Sequence, residues 1–161
     1  MTYWLFAYAF SDRASAHAYS FIGVGNFLVD SLNPGMGELF ADYVYRISTM
    51  MIAGNVALGA MAERIDFEPF FWYLIPMTVV FALPNYWVLS PSGFLFKLGV
   101  VDIAGCSYIH IAGGVAGLVG TIFLKPRKGR FSYPLEKFEM ADPTNALLGT
   151  YMLWYVFFVC F

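Results

Sequence analysis

Charged residues are scarce in this chain, and the few that are present form no catalytic or nucleic-acid-binding pattern. Only 12% of the 161 residues are Asp, Glu, Lys or Arg, against about 25% in a typical soluble domain. The net charge of −2 provides no basic surface for a nucleic acid. Because the sequence also shows no grouping of a nucleophile with an acid and a base, we predict that the protein is not an enzyme and has no nucleic-acid partner.

Cysteine and histidine are equally rare, with two of each. Cys106 and Cys160 both lie in apolar stretches, so we expect small buried side chains rather than a disulfide or a metal site. His17 lies in a predicted loop and offers His110 no facing partner on a helix, which argues against haem. The sequence therefore predicts no cofactor and no metal.

Apolar residues are abundant instead, at 60% of the chain, and they are gathered into long runs. A helix needs about 20 apolar residues to cross the hydrocarbon core of a bilayer. Runs of about this length lie at 41–62, 69–89, 103–124 and 145–161, and a shorter run lies at 1–10. We therefore predict an all-α, multi-pass integral membrane protein with four to five transmembrane helices in one membrane domain, 1–161.

The run 41–62 carries polar residues at two depths. Asp42 and Arg46 are four residues apart near its beginning, which suits an ion pair at the membrane interface and would let Arg46 extend its charge towards the lipid headgroups. Asn55 lies in the middle of the run, where an amide is expected to bind another helix.

The run 103–124 has no fixed charge and is bounded by opposite charges. Asp102 precedes it, and four basic residues follow it. These are Lys125, Arg127, Lys128 and Arg130. Because cytoplasmic loops are enriched in Lys and Arg, the run should end on the inner side of the membrane.

Small residues form two stripes along this same run. Gly113 and Gly117 are four residues apart, and Ala112, Ala116 and Gly120 repeat at the same spacing. Such spacing lets helices approach closely in lipid. Two stripes predict a central helix that is packed on more than one side and has little lipid contact.

Two motifs resemble those of a known family. The segment 102–120, with Asp102 at its start and His110 in its centre, resembles the signature around the fifth helix of the ammonium transporter (Amt/Rh) family. The segment Gly59-Ala-Met-Ala-Glu-Arg-Ile65 resembles the end of that family's third helix. The two blocks occur in the family's order and at the expected separation.

The resemblance implies a fold of about eleven helices, built as two inverted five-helix repeats. This chain resembles the second half of helix two through helix six, which is one partial repeat. His110 would match the first pore histidine, and Asp102 the aspartate that supports the cation-binding mouth. Each also has a purely structural alternative, a hydrogen bond between helices for His110 and a helix cap for Asp102.

Three positions depart from the family pattern. The aromatic residues that form the gates and the vestibule of the family fall at Thr49, Leu89 and Cys160 in this sequence. Trp87 matches the other tryptophan of the motif that contains Leu89. An aromatic ring contributes roughly 0.5–2 kcal/mol of attraction to a cation, so the three substitutions predict a degenerate pore.

Two functions stay open at this point. The chain is either a structural accessory subunit of a larger membrane complex, for example in an energy-transducing membrane, or a fragment or split half of a working ammonium channel. We expect the lipid bilayer and other membrane subunits as partners, and ammonium or ammonia only where the pore works. A mitochondrial inner membrane and a plasma membrane are both compatible with the sequence.

Overall fold

The computed structural model describes residues 1–11, 19–25, 27–29, 36–127, 129–131 and 142–160, without the side chains of Phe157, Val159 and Cys160. All regular secondary structure in these ranges is helical, which confirms the all-helical prediction for them. The chain divides into two compact units, Met1–Lys125 and Pro126–Phe161.

Within the described ranges, seven helical elements form the first unit and one lies in the second. In chain order they are π1 (Tyr3–Ala7), α1 (Tyr8–Phe10), α2 (Gly37–Met61), α3 (Phe67–Leu89), α4 (Phe94–Lys97), π2 (Cys106–Ile111), α5 (Ala112–Leu124) and, in the second unit, α6 (Pro143–Cys160). Helix α2 begins at Gly37 rather than at Ala41. Its first turn carries Glu38, whose negative charge is favourable at the positive end of the helix dipole.

Two stretches are long and apolar enough to cross a membrane by length and composition. They are Phe67–Lys97, which contains α3 and α4, and Cys106–Leu124, which contains π2 and α5. The N-terminal half of α2 carries Glu38, Asp42 and Arg46, and these charges lower its apolar character. A membrane helical fold is thus supported, while the count of four to five spans stays a prediction.

The contact between α2 and α5 depends on glycine. A methyl group on Gly113 would lie 2.6 Å from the carbonyl oxygen of Ala53, and one on Gly117 would lie 3.1 Å from the Cβ atom of Ala60. Both glycines are buried. The first predicted stripe therefore packs on α2 so closely that no side chain fits between the two backbones.

The second stripe borders a groove, and at its far end Gly120 packs against the side chain of Met61, the last residue of α2. Ala112, Ala116 and Gly120 line an apolar groove of about 850 Å³, whose opposite wall is formed by α3. Leu118 and Phe123, on the same helix, are 60% and 81% exposed. Within the first unit α5 packs closely on one long helix, α2, so the expectation of packing on more than one side is wrong there, while its small contact with lipid stays a prediction.

The N-terminal residues and π2 meet in one hydrophobic core. Tyr3 and Tyr8 pack there with Phe81 of α3 and with Tyr108 and Ile109 of π2. Segment π2 contacts both α2 and α3. The turn that carries His110 is therefore held between two long helices.

Cys106 is exposed, so the expectation of a buried thiol is wrong at this position. Residues 103–105 are not helical, and Ile103 is almost fully exposed. Cys106 is the first residue of π2 and lies at this exposed end. The side chain of Cys160 is outside the described residues.

Candidate functional site

Asp102 binds the backbone at the beginning of π2. Its Oδ1 atom accepts hydrogen bonds from the backbone N–H groups of Gly105 at 2.8 Å and Cys106 at 3.0 Å. Its Oδ2 atom accepts from the backbone N–H of Ser107 at 2.8 Å and from the hydroxyl of the same serine. These N–H groups have no carbonyl partner within a helix that begins here, so the carboxylate stabilises the start of the element.

The pKa of Asp102 reflects these bonds. Partial burial alone raises the pKa of the carboxyl group, but the hydrogen bonds from Ser107, Gly105 and Cys106 outweigh burial and leave the pKa below its ordinary value. Asp102 is therefore ionised at neutral pH. Its carboxylate accepts four hydrogen bonds from the residues at the start of π2, as a helix N-cap does.

The backbone enters the π-helical turn that follows from an unusual conformation. Gly105 has φ +80°, a left-handed value that glycine adopts without strain. A methyl group at this position would also lie 2.7 Å from the side chain of Ile109. The composition of the segment does not reveal this, and the sequence alone led us to expect an ordinary helix over 103–124.

His110 lies in π2 and is half-buried. Its neighbours Tyr108 and Ile109 are buried in the core, and Ser107 and Ile111 line the apolar groove. His110 is not among the described residues that line this groove. Single π-helical turns are rare, and they occur frequently at functional sites.

Two of the three predicted gate positions can be placed. Thr49 is 7% exposed, and its hydroxyl donates a hydrogen bond of 2.8 Å to the carbonyl oxygen of Arg46 in its own helix. Leu89 is half-buried and packs against the hydrophobic core. Neither offers an aromatic face to a cation. The side chain of Cys160, like all of His17, lies outside the described residues.

Trp87 belongs to an aromatic cluster that the sequence did not predict. Its ring lies 5.3 Å from that of Phe94 and 6.2 Å from that of Phe21, and the two phenylalanines stack at 5.1 Å. The indole N–H donates to the carbonyl oxygen of Phe21 at 2.7 Å. The cluster ties the segment before α2 to the end of α3, and its three rings pack on one another.

A second polar cluster surrounds Arg46. The predicted pair is confirmed, because Nε of Arg46 lies 2.7 Å from Oδ2 of Asp42, although the N–H is not aligned for a hydrogen bond and the contact is ionic. The expectation that Arg46 extends towards lipid headgroups is wrong, since its side chain is only 4% exposed. Instead its Nη1 atom donates to the carbonyl oxygen of Ser11 at 2.5 Å.

A smaller cavity of about 370 Å³ lies between π1, α2 and α3. Asn55 lines it together with Tyr3 and Thr78, while the hydroxyl of Thr78 bonds to its own helix at Ile75. Asn55 itself is exposed. Its predicted hydrogen bond to another helix stays a prediction.

Comparisons with known proteins point in one direction. The model of the Ammonium Transporter Family matches residues 1–161. The chain is 34% identical to a Caenorhabditis elegans protein named "Putative ammonium transporter 3", with 98% of this chain and 24% of the worm protein aligned. It is 33% identical to "Ammonium transporter 3" of Dictyostelium discoideum, with 84% of this chain and 31% of that protein aligned.

The chain therefore spans about a quarter to a third of the length of the curated relatives that it matches. No solved structure matches it.

Proposed function

Since its whole length matches the family model, this chain belongs to the ammonium transporter family, and we propose that it is a member with a degraded pore that serves as a structural accessory subunit of a larger membrane complex. The proposal includes a multi-pass arrangement with four to five spans. It also includes an orientation in which the basic residues after α5 face the inner side of the membrane.

The observation that carries the proposal is the chemistry at the predicted gate positions. Thr49 directs its hydroxyl to a carbonyl of its own helix, and Leu89 is part of the hydrophobic packing. A cation that sheds its water at a pore mouth needs aromatic faces or carboxylates to compensate. Each missing ring removes roughly 0.5–2 kcal/mol, which corresponds to roughly a 2- to 30-fold weaker hold on the cation.

The unpartnered surfaces of the first unit support a role within a complex. The groove beside α5 and the exposed apolar residues of the same helix offer a surface that lipid or another membrane helix can cover. Small residues along one wall of the groove would allow a close approach of a helix backbone.

The second candidate is a fragment or split half of a conducting channel. It is favoured by the resemblance of the segment around Asp102 and His110 to the family's motif and by the short share of the relatives that the chain covers. In this case the rest of the pore would be supplied by further chain or by a second protein, and ammonium or ammonia would be the substrate.

Purification of the tagged chain in a mild detergent separates the two candidates. The accessory-subunit proposal predicts a large complex in which the chain has a fixed stoichiometry with unrelated membrane subunits. A small assembly with a second chain that carries other transporter helices would favour the split channel. A chain that runs alone and moves ammonium by itself would refute the proposal.

Flux measurements complete the test. We expect His110→Ala to leave ammonium uptake into vesicles that contain the native complex unchanged. The matched control is Gly114→Ala, at an exposed position in the same stretch of helix, where an added methyl group would have nothing within 4 Å. Loss of uptake with His110→Ala but not with Gly114→Ala would establish a conducting pore.

A further inference from the structure

The most fully enclosed charge among the described residues of the first unit belongs to Arg46, and the groups around it come from two separate parts of the chain. Ser11 provides its carbonyl oxygen at 2.5 Å from Nη1 and its hydroxyl oxygen at 3.4 Å. Asp42 provides its carboxylate at 2.7 Å from Nε. The ring of Tyr8 lies beneath the guanidinium, with its centroid 5.4 Å from Cζ.

These are the kinds of group with which proteins bind small monovalent organic cations. A carboxylate supplies the compensating charge, a carbonyl and a hydroxyl accept hydrogen bonds, and an aromatic face within about 6 Å adds a cation–π attraction. A buried guanidinium is costly unless it is surrounded in this way, because it has lost its water. The carboxylate, the carbonyl and the ring therefore interact with the positive charge of Arg46 rather than with its aliphatic stem.

The groups that surround the guanidinium are also held in place by one another. The Tyr8 hydroxyl donates to Oδ2 of Asp42 at 3.1 Å, and the Ser11 hydroxyl donates to the Tyr8 carbonyl at 2.9 Å. The rings of Tyr8 and Tyr43 pack edge to face at 5.4 Å. Because none of these contacts involves Arg46, the arrangement has its own support when the guanidinium is removed.

We infer that Tyr8, Ser11 and Asp42 form a binding site for a small organic cation, and that Arg46 occupies this site as a tethered ligand of the same chain. Truncation of Arg46 should open the site to free cations of the guanidinium and ammonium class. The side chain of Asp42 is 35% exposed, which gives such a cation a way in.

This inference goes beyond the proposed function, because it holds whether or not the chain conducts. The filled site lies one helical turn before Thr49, whose hydroxyl bonds to the carbonyl of Arg46. In the wild-type chain a fixed positive charge therefore stands next to a predicted gate position. A free cation that approaches this part of α2 meets a site that is already occupied.

Chemical rescue tests the inference on the full chain in mild detergent. Arg46→Ala removes the atoms beyond Cβ, and ethylguanidinium has the same atoms. We expect Arg46→Ala to lower the thermal unfolding midpoint, and millimolar ethylguanidinium chloride to restore it in a saturable way. At a probe concentration ten times its dissociation constant, the ratio of folded to unfolded protein rises about 11-fold.

Three controls make the result specific. N-ethylurea has a similar shape without the charge and should not restore the midpoint. The additional substitution Asp42→Asn should abolish the response to ethylguanidinium. Arg64→Ala removes an exposed arginine from the turn after α2 and should show no response to the probe.

A second variant covers the case in which Arg46→Ala does not fold. Arg46→Gln keeps most of the stem, and its amide is neutral. We expect methylammonium chloride to raise the midpoint of Arg46→Gln more than sodium chloride does, and to have no such effect on the wild type. Equal effects of the two salts on Arg46→Gln, or equal effects of ethylguanidinium and N-ethylurea on Arg46→Ala, would overturn the inference.

Discussion

The contact between Gly113 and α2 allows a sharp test of the packing. Gly113→Ala would place a methyl group 2.6 Å from the carbonyl oxygen of Ala53 and 3.0 Å from the Cβ atom of Val56. The oxygen belongs to the backbone of a long helix and cannot rotate away, so α2 and α5 must separate. Overpacking of this kind costs about 1–3 kcal/mol, which lowers the ratio of folded to unfolded protein roughly 5- to 140-fold.

The control is the next residue. Gly114 is exposed, and a methyl group added there would have nothing within 4 Å, so Gly114→Ala meets no clash. Alanine is favoured over glycine in a helix interior by roughly 0.8–1 kcal/mol, and this substitution should be neutral or stabilising. The two variants have the same composition and differ only in the face of α5 that carries the added methyl group.

The assay is unfolding in mixed micelles with a rising fraction of denaturing detergent, followed by tryptophan fluorescence. We expect a large loss of stability for Gly113→Ala and none for Gly114→Ala. Equal effects of the two would refute the packing of α5 on α2 through this stripe.

A double substitution adds a second criterion. The methyl group of Gly117→Ala would meet the Cβ atom of Ala60 at 3.1 Å, so Ala60→Gly should recover stability in that background. Ala53→Gly should not rescue Gly113→Ala, because there the obstacle is a backbone oxygen.

Three further predictions concern the turns that hold the site. Gly93→Ala would place a methyl group against the carbonyl oxygen of Trp87 and should destabilise the chain by about 1–3 kcal/mol in the same assay. Gly37→Ala, where the added methyl group would have nothing within 4 Å, should not destabilise it. Gly105→Ala must hold a left-handed φ of +80° and should cost at least about 1–2 kcal/mol; no loss would mean that π2 does not begin as described. Asp102 has a lowered pKa in the folded chain, so the stability that its carboxylate contributes is present above the ordinary aspartate pKa of about 3.9 and is lost as the pH falls through the lower folded value. A pH titration of the unfolding free energy should show this loss, and the Asp102→Asn variant should lack this pH dependence.

Much of the fold was predictable because membrane helices are specified by composition. The long apolar runs located α3 and α5 well, since a bilayer requires continuous hydrogen-bonded helix wherever a chain crosses it. The spacing of Asp42 and Arg46 predicted their ion pair, because residues four apart share a helix face. The motif blocks identified the family before any geometry was known, and the match over 1–161 confirmed it.

The spacing of residues along the sequence did not predict which polar side chains are buried. Arg46 is enclosed only because Ser11 and Tyr8, far away in the chain, pack against it. Cys106 was expected to be buried and is exposed, because the three residues before it are not helical.

The sequence by itself determined the helical class and the family, because each depends on composition or on residues close together in the chain. The tertiary structure decided which faces meet. It placed the Gly113 and Gly117 stripe on α2, left Ala112 and Ala116 beside an open groove, and built the groups around Arg46 from two parts of the chain. Small-residue spacing shows only that a close approach is possible, and which helix approaches depends on how the whole unit packs.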